Sequence, residues 1–469
     1  MESSGPIRVR LSPRVTGWAD NSVLLGGSPW RVIRIAAQAR VLVDRLAAAG
    51  PRGIMLSDSS DIRIARALLD RGFLSPLPMG TPAEFTPDVV VPVLDATSEL
   101  RDLLASMPGA NVIVVDDGSA DPDDVTSTAD AAGAHVIRHM NNLGPAEARN
   151  TGIRHTDTRI VGFIDADCIA SPHWHTHLLF HFDDPRVAAV APRVRPTSDR
   201  GSRIERFEQT RSALDMGPKG GLVRPGARPS FVPSAALLVR RSAVGDTPFD
   251  PELRLGEDVD LIWRLTEGGW LVRYDPSVVV RHRTRVSFRQ WISRRFQYGT
   301  SAANLEERHP GYLTPLRSSP WNTVTLSLIA TGHPFIAAAV TLSATTLLWR
   351  QLRDLPAAPA LAIRLVAQGV VADGAALGHL LRREWWPIGM LFIAATPRSR
   401  VARWGAVTIF GPVAWEWVTT RPKVDPVSYT VLRLIEDAAY GSGVIASGVR
   451  SRTWTVLTPR LSHWRRKRR

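Results

Sequence analysis

A chain of 469 residues is too long for one ordinary domain and suits two or three. With 44% hydrophobic and 22% charged residues it can bury sizeable cores, which excludes a wholly disordered chain. The formal net charge of +14 excludes an acidic surface and rests on arginine, since Lys219, Lys423 and Lys467 are the only lysines; anionic lipid headgroups and phosphorylated substrates fit it, whereas arginine bias is also a mark of a GC-rich genome and no nucleic-acid partner is expected.

Residues 1–20 hold Arg8, Arg10, Arg14 and Pro13 and no apolar stretch, so no secretory signal is expected. The single cysteine, Cys168, cannot form an internal disulfide, which fits a reducing compartment. Residues 1–80 read as a small α+β module. Short apolar stretches at Ile7–Leu11 and Ser22–Gly27 precede an amphipathic run through Val32, Ile35, Ala36, Val41, Leu42 and Leu46 at helical spacing. A second helix is expected over Ile62–Leu69. Pro76, Pro78, Gly80, Pro82 and Pro87 then punctuate a linker.

Residues 87–310 alternate buried strands with helices, the pattern of an α/β sheet. Strands are expected at Val89–Val93, Val112–Val115, His135–His139, Ile160–Ile164, Val187–Ala191 and Ala235–Val239. Helices fit at Glu99–Ser106, Pro145–Thr151 and Pro172–His181. Asp116-Asp117-Gly118-Ser119 closes the second strand, where ligands of α/β sheets sit, and a carboxylate there can accept from a nucleobase N–H or a ribose hydroxyl. A plain turn would read the same way. Asp165-Ala166-Asp167 follows Val161–Ile164, and two alternate carboxylates suit Mg²⁺ or Mn²⁺ beside a diphosphate, though such triplets also arise by chance. Glu257, Asp258 and Asp260 open a helix, which the macrodipole favours by itself; the functional alternative makes Asp258 a general base on an acceptor hydroxyl. His173, His175, His177 and His181 are dense enough for zinc, yet lack a completing ligand, and a plain helix is expected there.

In this order and spacing the three acidic sites, with Val90-Val91-Pro92-Val93 and Gly144-Pro145-Ala146-Glu147-Ala148-Arg149-Asn150-Thr151-Gly152, resemble glycosyltransferase family 2 with the GT-A fold, over about half the chain. The resemblance implies an inverting transfer from a nucleotide-diphosphate sugar, with a divalent metal, Mn²⁺ or Mg²⁺. It places Pro92, Asp116 or Asp117, Arg149, Asn150 and Asp165 at the donor, Asp167 and His282 on the metal, and Asp258 as the base. Leu94-Asp95 departs from the aromatic-Asn pair usual in the family. Gln290-Trp291-Ile292-Ser293-Arg294-Arg295-Phe296 comes close to the Q-x-x-R-W of processive members without matching it; Trp291, Arg294 and Arg295 are candidates for holding an acceptor or donor phosphate, and a solvated basic helix face is the alternative.

From Ser318 to Trp349 no Asp, Glu, Lys or Arg occurs, and about 20 residues suffice to cross a bilayer core. Gly332-His333-Pro334 breaks the run. Shorter uncharged runs at Trp385–Pro397 and Trp404–Trp415, with tryptophans at their ends, extend the signal. Residues 315–469 are therefore expected to form a helical, membrane-associated region ending in the basic tail Arg465–Arg469, on the cytoplasmic membrane with the catalytic domain facing the cytoplasm. The first module, with Leu24-Leu25-Gly26-Gly27-Ser28-Pro29, looks like the winged-helix domains that bind peptide precursors. Its order before a family 2 domain and an apolar carboxy-terminal region, together with Tyr298–Ala303 and Asp437–Gly441, resembles the glycosyltransferases of mycofactocin biosynthesis. That resemblance implies a UDP-sugar donor, glucose above all, and a peptide-derived acceptor that receives a β-linked hexose. A membrane family 2 enzyme acting on a lipid-phosphate or cell-wall polysaccharide is the rival reading.

Overall fold

The computed structural model describes residues 5–80, 85–197, 201–283 and 287–461. The chain forms two compact units, Met1–Asp199 with Arg211–Thr284, and Arg200–Thr210 with Arg285–Arg469.

A nine-stranded mixed sheet dominates the first unit. Its order runs Cys168–Ile169, Leu271–Arg283, Val187–Thr197, Ala236–Arg240, Ile160–Ile164, Asp88–Val93, Val112–Asp116, His135–Arg138, with Gly221–Val223 added on Leu271–Arg283. The last four strands of that row are parallel; Ile160–Ile164, Asp88–Val93 and Val112–Asp116 carry the apolar runs of strands covered on both faces, and His135–Arg138 is the partly exposed edge. Ala236–Arg240 runs antiparallel between Ile160–Ile164 and Val187–Thr197. Helix Pro145–Arg154 lies so close to Asp88–Val93 that a β-carbon at Gly152 would collide with Val90. Gly118, with φ +86°, turns the chain after Val112–Asp116 where a β-carbon would lie 2.9 Å from the Asn141–Asn142 backbone. Helix Pro122–Ala131 and strand Leu271–Arg283 are among the elements that go beyond the sequence expectations. Helix Pro122–Ala131, capped by Asp121 with Pro122 in its first turn, is rich in short residues that carry little helical signal. Strand Leu271–Arg283 hides behind Asp275-Pro276-Ser277 at its middle, beside a register shift at Pro192/Arg193. The histidine-rich segment forms a 3-10 helix over Thr176–Asp183 rather than an α-helix.

In residues 5–80, strands Ile54–Leu56, Ile7–Leu11 and Leu74–Leu77 make one sheet, and Thr16–Trp18, Val23–Gly26 and Arg31–Arg34 another. Val9, Leu42, Leu46, Ile62 and Phe73 share a core. Two expectations are corrected here. Val32 lies in a strand, where β-branched Val32 and Ile33 pair with Leu25 and Leu24, and the helix starts only at Ala37. Pro76 belongs to a strand paired with Ile7–Leu11, not to a linker; Pro82 lies outside the described residues.

The second unit is helical. The uncharged run splits at Gly332 into Pro320–Thr331 and Pro334–Leu352. Helix Ala358–Arg382 was masked in the sequence by Arg364 and Asp373; Asp373 Oδ2 accepts from Ser318 Oγ at 2.8 Å, Ser319 N at 3.1 Å and Asn322 Nδ2 at 2.9 Å. Pro334–Leu352 and Ala358–Arg382 are long and apolar enough to cross a membrane, and only 17% and 11% of their apolar windows is buried within the protein. Trp386–Ala395, Arg400–Thr420 and Pro426–Ser451 complete the bundle. The basic tail Arg465–Arg469 lies outside the described residues.

Candidate donor site at the carboxyl edge of the sheet

The parallel strands Asp88–Val93, Val112–Asp116 and Ile160–Ile164 deliver Pro92, Asp116 and Asp165–Asp167 to one edge of the sheet, the edge at which α/β proteins bind nucleotides. Pro92 pairs in register with Val115. Asp116 is buried, accepts from Ser119 N at 2.9 Å and pairs with Arg138. Asp117 is used by its own chain: Oδ1 accepts from Leu143 N at 2.9 Å and faces His139 Nδ1 at 2.8 Å, and Oδ2 accepts from Gly144 N at 2.8 Å. Asp117 thus shapes the turn that starts helix Pro145–Arg154. Asp95, the departure from the family pattern, does likewise by accepting from Ala120 N at 2.8 Å.

Arg149 ties the other motifs together. Its buried guanidinium donates to Asp165 Oδ1 at 2.6 Å and to Glu257 Oε1 at 3.0 Å, and stands 5.4 Å from the centre of the Phe249 ring. Burial alone would lower this guanidinium; Asp165 and Glu257 outweigh it and raise it above its ordinary value. Asp258, next to Glu257 in the first turn of helix Glu257–Glu267, accepts from Ser234 N at 3.2 Å and Val259 N at 2.8 Å. Burial pushes the Asp258 carboxyl up, and Asp165 adds to the rise; Arg149 and the two backbone N–H groups oppose it without cancelling it. Glu257 is raised by burial and by the charge on Asp258, against the pull of Arg149. Asp260 is buried against Arg264, 2.7 Å away.

Asp167 and His282 meet across the pairing of Cys168–Ile169 with Leu271–Arg283, with His282 Nε2 3.2 Å from Asp167 Oδ2. Among the described residues no group of three or more His, Cys, Asp or Glu side chains converges as a metal cage. Asp167 supplies the single carboxylate by which a cation such as Mg²⁺ can be held when substrate phosphates and water complete its shell, and His282 could add an imidazole nitrogen.

One expected donor contact is corrected. Asn150 is fully buried, its Nδ2 donates to Phe249 O at 2.7 Å and its Oδ1 accepts from Phe249 N at 3.0 Å, so the amide fixes the Phe249 loop under Arg149 and offers nothing to a donor. Trp291 and Arg295 are likewise not phosphate ligands. Both bind the buried Glu208, and Arg295 also meets Glu436 at 3.0 Å. His139, which joins Asp117 to Thr151 at 2.8 and 2.9 Å, was missed; it carried no signal beyond its place at a strand end.

A half-sheet of parallel strands that presents these carboxylates is the architecture of a GT-A glycosyltransferase, and residues 88–245 match the model of the glycosyl transferase family 2. The pre-mycofactocin glycosyltransferase of Mycobacterium tuberculosis is 36% identical over 468 residues, 97% of each chain. The succinoglycan biosynthesis protein ExoU of Rhizobium meliloti is 32% identical over 35% of this chain and 51% of its own. The mannosyltransferase PcManGT of Pyrobaculum calidifontis, solved with GDP-Man and Mn²⁺, is 17% identical with a TM-score of 0.42, covering 80% of this chain and 89% of that one. The chain belongs to glycosyltransferase family 2, in the group of the pre-mycofactocin glycosyltransferases.

Proposed function

We propose that this glycosyltransferase moves glucose from UDP-glucose, with inversion, onto a peptide-derived redox cofactor precursor in mycofactocin biosynthesis, leaving a β-linked sugar. The observation that carries the reading is the Arg149 junction, which gathers Asp165, Glu257 and Asp258 from separate stretches of sequence. Asp258 is the base. It takes the proton of the acceptor hydroxyl as that oxygen bonds to the anomeric carbon and the nucleoside diphosphate leaves from the opposite side. A carboxylate held above its usual range is a better proton acceptor for this step. Asp116 and Pro92 border the nucleoside, and Arg149 holds Asp165 against the donor. Asp167 and His282 would hold Mn²⁺ or Mg²⁺, which when bound neutralises charge on the departing diphosphate. Residues 1–80 seat the acceptor.

The exposed apolar helices Pro334–Leu352 and Ala358–Arg382 support membrane association, and on this reading the protein sits on the cytoplasmic membrane with its catalytic unit on the side where nucleotide sugars are made. The same helices favour the second reading, transfer to a lipid-phosphate or cell-wall polysaccharide. Mass spectrometry of products separates the two. With UDP-glucose and a peptide-derived acceptor, the acceptor should gain hexose units; transfer only to lipid-phosphate acceptors would contradict the first reading. Recovery of the protein in the soluble fraction without detergent, at low and high salt, would contradict the membrane placement.

A further inference from the structure

The segment from Gly221 to Ala235 meets Asp165 and the helix that carries Glu257 and Asp258. Its strand Gly221–Val223 pairs with Leu271–Arg283. Ser230 O accepts from Trp263 Nε1 at 3.0 Å, on the helix that carries Glu257 and Asp258. Ser234 N donates to Asp258 Oδ2 at 3.2 Å. Ala235 O accepts from Asp165 N at 3.1 Å.

Residues 5–80 hold this same segment at its other end. Ser28 Oγ, buried, donates to Leu222 O at 2.7 Å, and Arg14 Nη2 donates to Lys219 O at 2.8 Å. Ser28 itself is fixed by its N–H on Arg71 O at 2.9 Å. Asp70, beside Arg71, pairs with Arg186 at 2.9 Å. Charges of both signs face each other here: Arg14 faces Arg228 and Arg31 faces Arg224, while Asp70 attracts Arg224. What fixes the contact in direction is the pair of hydrogen bonds to the backbone carbonyls of Leu222 and Lys219.

We infer that the amino-terminal module, through Ser28 and Arg14, braces the Gly221–Ala235 segment and so sets the Ser234 N–H against Asp258; Ser28 is a positioning residue for the base. This rests on the reading of Asp258 as the base. Binding of an acceptor to the module would then be felt at the reacting carboxylate, not only in affinity.

Ser28→Ala in the full chain tests it, with Arg14→Met as a second variant on the same contact should the first fail to fold. Loss of one such hydrogen bond is expected to lower kcat about three- to tenfold, with nucleoside-diphosphate affinity unchanged. The Ser234 N–H holds the Asp258 carboxyl down, so its loosening should move the acid limb of the kcat profile to higher pH, which a merely structural serine would not do. Hydrogen exchange over residues 221–235 should quicken. Wild-type kcat, acid limb and exchange in the folded variant would overturn the brace. Asp258→Asn run alongside separates the two ideas: near-normal turnover there overturns the base, while exchange in Ser28→Ala still reads the brace.

Discussion

Both units bury arginine against carboxylates, but with different arithmetic. In the helical unit Arg382 meets Asp437 at 3.0 Å, Arg433 meets Glu436 at 2.9 Å and Asp437 at 3.3 Å, and Arg295 meets Glu436 and Glu208, with Glu416 at the margin 3.9 Å from Arg433. Guanidinium and carboxylate are matched nearly one to one. In the catalytic unit Arg149 alone serves Asp165 and Glu257 directly and Asp258 through space. A matched network specifies how helices pack and has no charge left for a ligand. An unmatched one keeps negative charge in reserve beside Glu257 and Asp258, whose carboxyls burial lifts above their usual range, as it lifts Glu208 in the helical unit.

The largest expected effect breaks the unmatched site at its centre. Arg149→Met leaves buried carboxylates uncompensated; stability should fall by about 3–5 kcal/mol in denaturant melts and transfer should vanish. A stable, active variant would remove the contrast altogether. Arg433→Met is the counterpart in the helical unit. It removes one of the two guanidinium partners of Glu436 and of Asp437, which keep Arg295 and Arg382; stability should fall by about 1–3 kcal/mol while kcat per folded molecule stays unchanged. A kcat loss at full folding would show that the matched network also serves the reaction.

Asp167→Ala sharpens the comparison further. This side chain is 43% exposed, so stability should change by less than about 0.5 kcal/mol, while turnover falls by about 10²–10³-fold. Full activity of the wild type in excess chelator would reject the metal assignment.

The smallest effect is in pH. The base must be ionised, and Asp258 is held above the usual carboxylate range, so turnover should fall on mild acidification. Stability carries the opposite sign. A carboxyl raised on folding contributes stability that is fully present below its unfolded value, about 4, and is lost as pH rises through the folded value. Opposing trends in kcat and melting temperature are expected; parallel trends would contradict the shift.

What the sequence made legible was whatever is local. Val89–Val93, Val112–Asp116 and Ile160–Ile164 announce themselves as apolar runs that end in carboxylates, so the sheet and its acidic edge could be read directly. Asn150 could not. Its partner Phe249 lies 99 residues away, and the same Arg-Asn pair would look alike facing a donor or a neighbouring loop. Trp291 and Arg295 failed for the same reason, because Glu208 lies 83 and 87 residues distant. Helix Ala358–Arg382 was missed because Asp373, which accepts three hydrogen bonds from the Ser318–Asn322 stretch, reads in the sequence as a charge that ends an apolar run.

Asp258→Asn puts single displacement with Asp258 as base to its sharpest test. The change keeps the shape and removes the basic oxygen. Rapid-quench turnover with a nucleotide-sugar donor and its acceptor should fall by about 10²–10⁴-fold, with nucleoside-diphosphate affinity nearly unchanged and the wild-type product β-linked from an α-configured donor. Near-normal turnover in Asp258→Asn, or a wild-type product that keeps the α configuration, would contradict it.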